Sequence, residues 1–487
     1  MGYVSLGRPS YDDLAALVVQ QAATIGRLEG ELVEVRAEVC ELKRRLAQNS
    51  RNSSRPSGSD GLGKPPVKKS LRRRSGRKPG GQSGHDGGHL AAVADPDEVV
   101  AHSPACCAGC GSDLTNAPVE GCERRQVFDL PPIALRVVEH VAERRRCDCG
   151  QVTRGEFPGG VGAPTQYGPG VRALAMYLIA RQHLPYQRAS ELFGDWLGAP
   201  ISTGTLASIL ARGAKDLQGF LDEVHRQLIR SPVAHFDETG ARVAGRLRWL
   251  SAASTPRLTF YALHDKRGKA GIDHAGVLPH FTGIAVHDGF QPYRRHYTQA
   301  RHALCNAHHL RELQGVIEQD PDQQQSWARA MDRLLRDLQQ ATITATDHGH
   351  DDLDVMQLAA ARVAYEQIIA TGHRENPLNT VRRGQRGFIA QTFQRNLLSR
   401  LDRYREDVLR FAHDLNVPFD NNLVERDIRM IKLQQKISGC WRTPTGADHF
   451  LALRAYLSTA TKQHQRLLHA LTSLAAHDPW IPQAASP

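Results

Sequence analysis

PFDNNLVERDIRMIKLQQK, residues 418–436, sets a single glutamate, Glu425, at the head of a helix with a basic face. Asn421 or Asn422 suits the N-cap, and Leu423, Val424, Ile428, Met430 and Ile431 supply the apolar side. From Glu425, cations recur at Arg429, Lys432 and Lys436, at helical steps of four, three and four that keep them on one face. A carboxylate above a cationic stripe suits a protein that holds a metal against a phosphate backbone. A simpler account competes. Asn422 and Glu425 have capping-box spacing, and Glu425 with Arg429 is an ordinary i,i+4 pair. The rest of the chain must supply the partners of Glu425.

The chain of 487 residues is long enough for about three domains and at least one large core. Hydrophobic residues make up 40% and charged residues 23%, a globular balance. No apolar run approaches the roughly 20 residues that span a bilayer, and the N-terminus has no basic segment followed by an apolar core. A membrane role and secretion are therefore not expected. Net charge is +11, and +8 of it lies in residues 51–89, where ten Lys/Arg, among them Arg72, Arg73, Arg74, Arg77 and Lys78, face only Asp60 and Asp86. That segment is rich in Ser, Gly and Pro, lacks apolar periodicity and reads as a disordered linker. Its concentrated charge points to nucleic acid.

Residues 14–46 carry an unbroken heptad pattern. Val18, Ile25, Leu32, Val39 and Leu46 take a, and Leu14, Gln21, Leu28, Val35 and Leu42 take d. Glu31 and Glu38 at g oppose Arg36 and Lys43 at e of a parallel partner, so a parallel homodimer is expected. The alternative is one amphipathic helix packed on its own domain.

Nine cysteines include two close pairs, Cys107/Cys110 and Cys147/Cys149. Without a secretory signal, a metal is the better reading than disulfides. Two thiolate pairs on glycine-bearing turns can form a tetrahedral Cys₄ zinc site. The tight C-x-C leaves room for Cys106 in a shifted register. Cys122 reads as a packed thiol. Between the pairs, Arg125–Leu130 and Arg136–Val141 read as strands. Residues 168–230 are helical. Within them Pro185–Phe193 and Ser202–Leu210, separated by Gly198 and Pro200, resemble a helix-turn-helix.

From Pro232 the period changes to two. Residues 232–240, 246–251 and 257–263 read as three consecutive strands, followed by short strands at 283–287 and 302–306. A helix-rich tract of roughly 311–400 precedes the opening stretch, and a last amphipathic helix runs from Asp448 to Leu474. Asp237 closes the first strand and Asp288 the fourth. In a mixed sheet of order 3-2-1-4-5 these strands are neighbours, and the two carboxylates lie side by side. Glu425, on a helix laid across them, completes a hard-oxygen site for two Mg²⁺ (or Mn²⁺) ions of the kind that drives phosphoryl transfer.

In this order the chain resembles the transposases of the IS66 insertion-sequence family, DDE enzymes with an RNase H-like core. The residues that carry the likeness are the N-terminal heptads, Asn49-Ser-Arg-Asn-Ser-Ser-Arg-Pro, Ser75-Gly-Arg-Lys-Pro-Gly-Gly-Gln-Ser-Gly-His and the cysteine module with Arg125-Gln-Val-Phe-Asp-Leu-Pro. They continue with His235-Phe-Asp-Glu-Thr, His287-Asp-Gly, Leu304-Cys-Asn-Ala-His and, most specifically, Asp420-Asn-Asn-Leu-Val-Glu-Arg. The resemblance implies that Asp237, Asp288 and Glu425 carry the catalytic metals. It also implies an accessory role for Cys305 and His308, which match a Cys-x-x-His of several DDE families.

The expected fold is multidomain α+β: a coiled-coil segment (1–50), a basic linker (51–94), a zinc-binding module (95–160) and a helical DNA-binding region (161–230). An RNase H-like catalytic core with a helical insertion (231–445) and a C-terminal helical element (446–487) follow. The expected function is binding of an insertion sequence's terminal inverted repeats, with DNA cleavage and strand transfer by two Mg²⁺ ions, one structural Zn²⁺ being held elsewhere. Arg429, Lys432 and Lys436 would join the basic arm on DNA. Expected partners are element ends and target DNA, a second copy or a higher oligomer through the coiled coil, and small accessory proteins of the same element, in a bacterial, cytoplasmic, nucleoid-associated setting. The competing functions are a catalytically dead zinc-containing DNA-binding regulator and an RNase H-like nuclease or resolvase.

Overall fold

The structure is a computed structural model that describes residues 10–47, 52, 90–131, 133–319, 324–380, 389 and 391–484. The basic-arm residues Arg72, Arg73, Arg74, Arg77 and Lys78 lie outside them.

The heptad segment is one continuous helix, α1 (Tyr11–Ala47). Its a and d residues Val18, Ile25, Leu28, Leu32 and Val35 are all exposed, so the apolar seam is not covered by any of the described residues. The cysteine module that follows holds little regular structure. A short antiparallel hairpin, β1 (Arg144–Arg146) with β2 (Val152–Arg154), is its only sheet among the described residues. The strands expected at 125–130 and 136–141 are not formed, and Val127, Leu130, Val137 and Val141 are exposed. Alternating apolar residues become a strand only when a neighbour accepts their hydrogen bonds and buries one face, and nothing in this module does so. Cys122 is likewise exposed, not packed.

From residue 169 the chain is densely packed. Helix α2 (Pro169–Met176) runs into a π turn, followed by α3 (Tyr186–Leu197), α4 (Thr203–Asp216) and α5 (Gln218–Ile229). Gly198, in the left-handed region, ends α3, and the Ser202 hydroxyl caps α4 by accepting from the Thr205 amide. The turn between α3 and α4 thus has Gly198 and the Ser202 cap where the sequence suggests them. The opposite face of α4 (Leu206, Ile209, Leu210, Gly213, Ala214) is buried.

Five strands form the central sheet: β3 (Val233–Val243), β4 (Arg246–Ser254), β5 (Thr259–His264), β6 (Ile284–His287) and β7 (Arg301–Leu304), in the order β5-β4-β3-β6-β7. The first three are antiparallel, whereas β6 and β7 run parallel to β3. This is the 3-2-1-4-5 order expected. Ala244 and Gly245, both at positive φ, close the β3–β4 hairpin. Helices α6 (Lys269–Ala275) and α7 (Gln291–His296) occupy the β5–β6 and β6–β7 connections.

After β7 come α8 (Asn306–Glu318), α9 (Ser326–Asp347), α10 (Val355–Glu375), α11 (Phe393–Arg403) and α12 (Arg405–His413), then α13 (Asn422–Ser438), α14 (Pro444–Lys462) and α15 (Leu467–Ala475). The single last helix expected is two, separated by a turn with His464 at positive φ. One apolar core joins α2–α5 to β3–β5 and α13–α15, and a second lies between β6, β7 and α8–α12. Helix α14 is buried along Phe450–Ala460 and forms the spine of the first core.

Candidate active site

Parallel pairing of β3 with β6 matches Val233 to Ile284, Ala234 to Ala285 and His235 to Val286. Continued by two residues, that register sets Asp237 opposite Asp288. Asp237 does not close its strand, however. β3 runs on to Val243 against β4, while β6 ends at His287. The pair therefore stands where β6 stops and the sheet opens. The amide of Glu238 donates to Asp237 Oδ1 (2.7 Å), and that of Phe290 to Asp288 Oδ1 (2.8 Å). Among the described residues, no hydrogen bond reaches the second oxygen of either carboxylate.

Glu425 reaches this place from the first turn of α13. Its helix is located by Asn421, which is buried. The Asn421 Oδ1 lies 2.9 Å from His235 Nδ1, and its Nδ2 donates to the Phe236 carbonyl at 2.9 Å. An amide aimed at β3 cannot also cap its own helix, and Asn421 makes no side-chain cap bond. The helix begins at Asn422 with Asn421 as its N-cap, so the Asn422–Glu425 capping box is out of register. Asp420 accepts from the Asn422 backbone instead.

A second fastening lies two residues on from Glu425. Asp427 accepts from Ser254 (2.7 Å), Thr259 (3.1 Å), Ser458 (3.1 Å) and Lys462 (2.7 Å), and its carbonyl accepts from Tyr261 (3.0 Å). This network ties α13 to β4, β5 and α14.

Burial raises the proton affinity of all three carboxylates, and at Asp237 and Glu425 neighbouring carboxylates add to it. Burial first, then the charges of Asp288 and Glu425, push the Asp237 carboxyl well above the ordinary range. Burial also raises Asp288, against the Phe290 amide and the Arg267 guanidinium. It raises Glu425 too, with Arg311 and Arg429 pulling the other way. Buried carboxylates that oppose each other's ionisation are the donor set a hard divalent cation relieves. Oxygen ligands of this kind fit Mg²⁺ or Mn²⁺. Asp237, Asp288 and Glu425 are not drawn into one tight group of ligand atoms, a spacing compatible with ions themselves about 4 Å apart.

Below Asp288 a chain of neutral imidazoles fixes the backbone. The Gly289 amide donates to His287 Nδ1 (3.0 Å), His287 Nε2 lies 3.1 Å from His302 Nδ1, and His302 Nε2 lies 3.1 Å from the Tyr297 carbonyl. Burial keeps His287 well below the ordinary imidazole value, so each ring donates once and accepts at most once along this line.

Beside Asp237, Glu238 is no turn residue. Its side chain is 1% exposed and faces Arg267 at 3.5 Å, which stacks between Trp249 and Phe290. Neither Glu238 nor Arg267 stood out in the sequence, since Asp-Glu-Thr offers two adjacent acids and nothing local shows which one faces inward.

Cys305 and His308 also arrive at the site. Cys305 follows β7 at the N-cap position of α8, and its sulfur accepts from the Asn421 amide at 3.1 Å. His308 Nε2 lies 4.0 Å from Glu425 Oε1. Burial drives His308 down to about 3 and Cys305 up to about 12. The His308–Glu425 approach is thus a neutral ring facing a carboxylate, not an ion pair.

Of the α13 cations, Arg429 and Lys436 are exposed. Lys432 is half-buried and its ammonium donates to the Gly240 carbonyl of β3, so it is not free to meet DNA. Helical spacing alone did not show that this position faces the sheet.

In the cysteine module the two pairs are built as separate turns. Cys107 and Ser112 close one (2.8 Å), with Gly111 at positive φ, and Cys147 and Gln151 close the other (2.8 Å), with Gly150 at positive φ. The Ser112 hydroxyl brings the Cys110 thiol down to about 7, and Cys149 lowers Cys147. Thiols shifted toward thiolate on paired turns fit zinc. All four are not gathered into one set here: among the described residues, three metal-capable atoms come within 4.8 Å of each other only at Cys305, His308 and Glu425.

Comparison with known families gives three matches. The model of the transposase IS66 family matches residues 164–449, more than half of the chain. The zinc-finger binding domain of transposase IS66 matches residues 104–150. A family of unknown function matches residues 8–91. No curated protein matches the chain.

Proposed function

Because the chain belongs to the IS66 family of transposases, we propose that it binds the terminal inverted repeats of an insertion sequence and cuts and joins DNA there by two-metal phosphoryl transfer on an RNase H-like core. The observation that carries this reading is the register of β3 and β6, which, continued by two residues, aligns Asp237 with Asp288 at the open end of the sheet. Asp237, Asp288 and Glu425 would hold two Mg²⁺ ions, whose Lewis acidity would supply activation of an attacking oxygen and stabilisation of the leaving one.

The chain's own part is to keep those carboxylates fixed and close while they repel each other. Asn421 locates Glu425 through β3, and Asp427 anchors the following turn. The hydrogen bonds on Asp237 Oδ1 and Asp288 Oδ1 orient each group and leave the second oxygen for the cation. Neutral His287 and His302 hold the Asp288 backbone without placing positive charge behind the metals. Arg429 and Lys436, exposed on the helix that bears Glu425, would meet the DNA backbone, as would Arg72, Arg73, Arg74, Arg77 and Lys78 of the linker. Such contacts make affinity salt-sensitive. The zinc finger, with Cys107, Cys110, Cys147 and Cys149 as ligands, and the α3–α4 pair would recognise the ends. Helix α1 would pair two protomers, and so two ends.

Magnesium-dependent cleavage of a DNA fragment bearing the inverted repeats that bracket the reading frame tests this function. Binding without cleavage under Mg²⁺ and Mn²⁺ would instead favour a catalytically silent DNA-binding regulator.

A further inference from the structure

The starts of α8 and α13 are stitched together at the edge of the carboxylate cluster. The Cys305 amide donates to the His287 carbonyl (2.9 Å), the Asn306 amide to the Phe419 carbonyl (3.0 Å), and the Asn421 amide to the Cys305 sulfur (3.1 Å). As a result Cys305, His308 and Glu425 present a sulfur, an imidazole nitrogen and a carboxylate oxygen all within 4.8 Å of one another. His308 Nδ1 is buried without a hydrogen-bond partner. Bonds of about 2.0–2.3 Å place tetrahedral zinc ligands roughly 3.3–3.8 Å apart. The 4.0 Å between His308 Nε2 and Glu425 Oε1 therefore closes with a small side-chain rotation.

The donor types matter more than the distances. Magnesium takes oxygen and retains its waters, whereas thiolate with imidazole selects zinc and similar borderline-soft ions. Two neighbouring donor sets of different hardness thus meet at one residue, Glu425.

We propose that Cys305, His308 and Glu425 form a second cation site, selective for a zinc-like ion, which shares Glu425 with Asp237 and Asp288 and so opposes loading of the hard catalytic ions. On binding, the Cys305 thiol gives its proton to water as the sulfur–zinc bond forms, and no redox change occurs. A zinc ion there holds Glu425 on the α8 side and withdraws it from the aspartates. This antagonism rests on the catalytic reading above, whereas the existence of the site does not.

Two measurements on the full chain separate these claims. Protein stripped by chelator, reloaded with Zn²⁺ and freed of excess is assayed for bound zinc as wild type, Cys305→Ser and His308→Gln. Each variant is expected to retain about one zinc ion per chain fewer than wild type, the zinc finger keeping its own. Equal zinc in all three, with circular dichroism showing that at least one variant is folded, overturns the site. The second measurement titrates Mg²⁺ in cleavage of end-bearing DNA. Zinc at about ten times its dissociation constant should raise the Mg²⁺ requirement of wild type about tenfold and shift that of Cys305→Ser much less. An unchanged requirement in wild type overturns the sharing of Glu425. Absence of cleavage in every protein counts against the catalytic reading, and the zinc assay still decides the site.

Discussion

The Asn421 side chain bridges to His235 Nδ1 and to the Phe236 carbonyl, both at 2.9 Å, and thereby joins the helix of Glu425 to the strand of Asp237. Three residues proposed to act on one phosphate would have to be held within fractions of an ångström, and this contact spans the two elements that carry two of them.

Asn421→Ala leaves the Phe236 carbonyl and the His235 ring without partners in a buried place. The expected loss is about 2 kcal/mol of stability, read as a lower urea midpoint with unchanged slope. Cleavage should fall further than end binding, because end recognition is proposed to rest mainly on the zinc finger and the α3–α4 pair, away from Asn421. Equal losses in both would mean that Asn421 only supports the fold.

The raised carboxyls give the metal-free protein a defined pH dependence. An acid whose proton is held more tightly in the folded state contributes stability that is complete below the unfolded value and is lost as pH rises through the folded value. For Asp237, Asp288 and Glu425, all shifted upward, stability in chelator should therefore decline from the ordinary carboxylate range upward. Asp237→Asn should flatten that decline, and at neutral pH it should be more stable than wild type until Mg²⁺ is added. Thermal unfolding of both proteins across pH, with and without Mg²⁺, checks the sign.

Asp427→Ala removes the acid hydrogen-bonded to Lys462, whose ammonium also donates to the Thr255 and Leu258 carbonyls. Breaking one side of a buried pair costs about 3–5 kcal/mol. The double variant Asp427→Asn with Lys462→Met should recover part of it. A double-mutant cycle by urea denaturation measures the coupling, and a coupling near zero would place the anchor elsewhere.

Helix α1 exposes Leu28 and Leu32, and an apolar seam in water is expected to find another copy. Leu28→Lys with Leu32→Lys should shift the protein from dimer toward monomer in sedimentation. It should also weaken joint capture of two ends more than binding of one. A wild-type protein that sediments as a monomer at micromolar concentration contradicts the pairing role of α1.

The central sheet was legible because its signals are local and redundant. Alternation over residues 232–263 and the short strands at 283–287 and 302–306 each depend on a few neighbouring residues. The β3–β6 register could be expected but not seen, and with it the reason Asp237 stands inside its strand. Side chains whose role depends on the opposite element were not legible. Lys432 shares the helical spacing of Arg429 and Lys436 and yet turns onto Gly240. Asn421 reads as a cap and instead reaches β3. Asp427 looks like one more charge on a basic helix and proves to be its anchor. In the cysteine module, Val127 and Val137 have the alternation of strands without a neighbour to pair with.

The most direct test compares wild type with Asp237→Asn in single-turnover cleavage of end-bearing DNA in Mg²⁺, with end affinity measured in parallel. Loss of a metal-bearing carboxylate should reduce cleavage by roughly a thousandfold or more while affinity for the ends changes little. Cleavage at the wild-type rate by Asp237→Asn would contradict the assignment of Asp237, Asp288 and Glu425 as the catalytic centre.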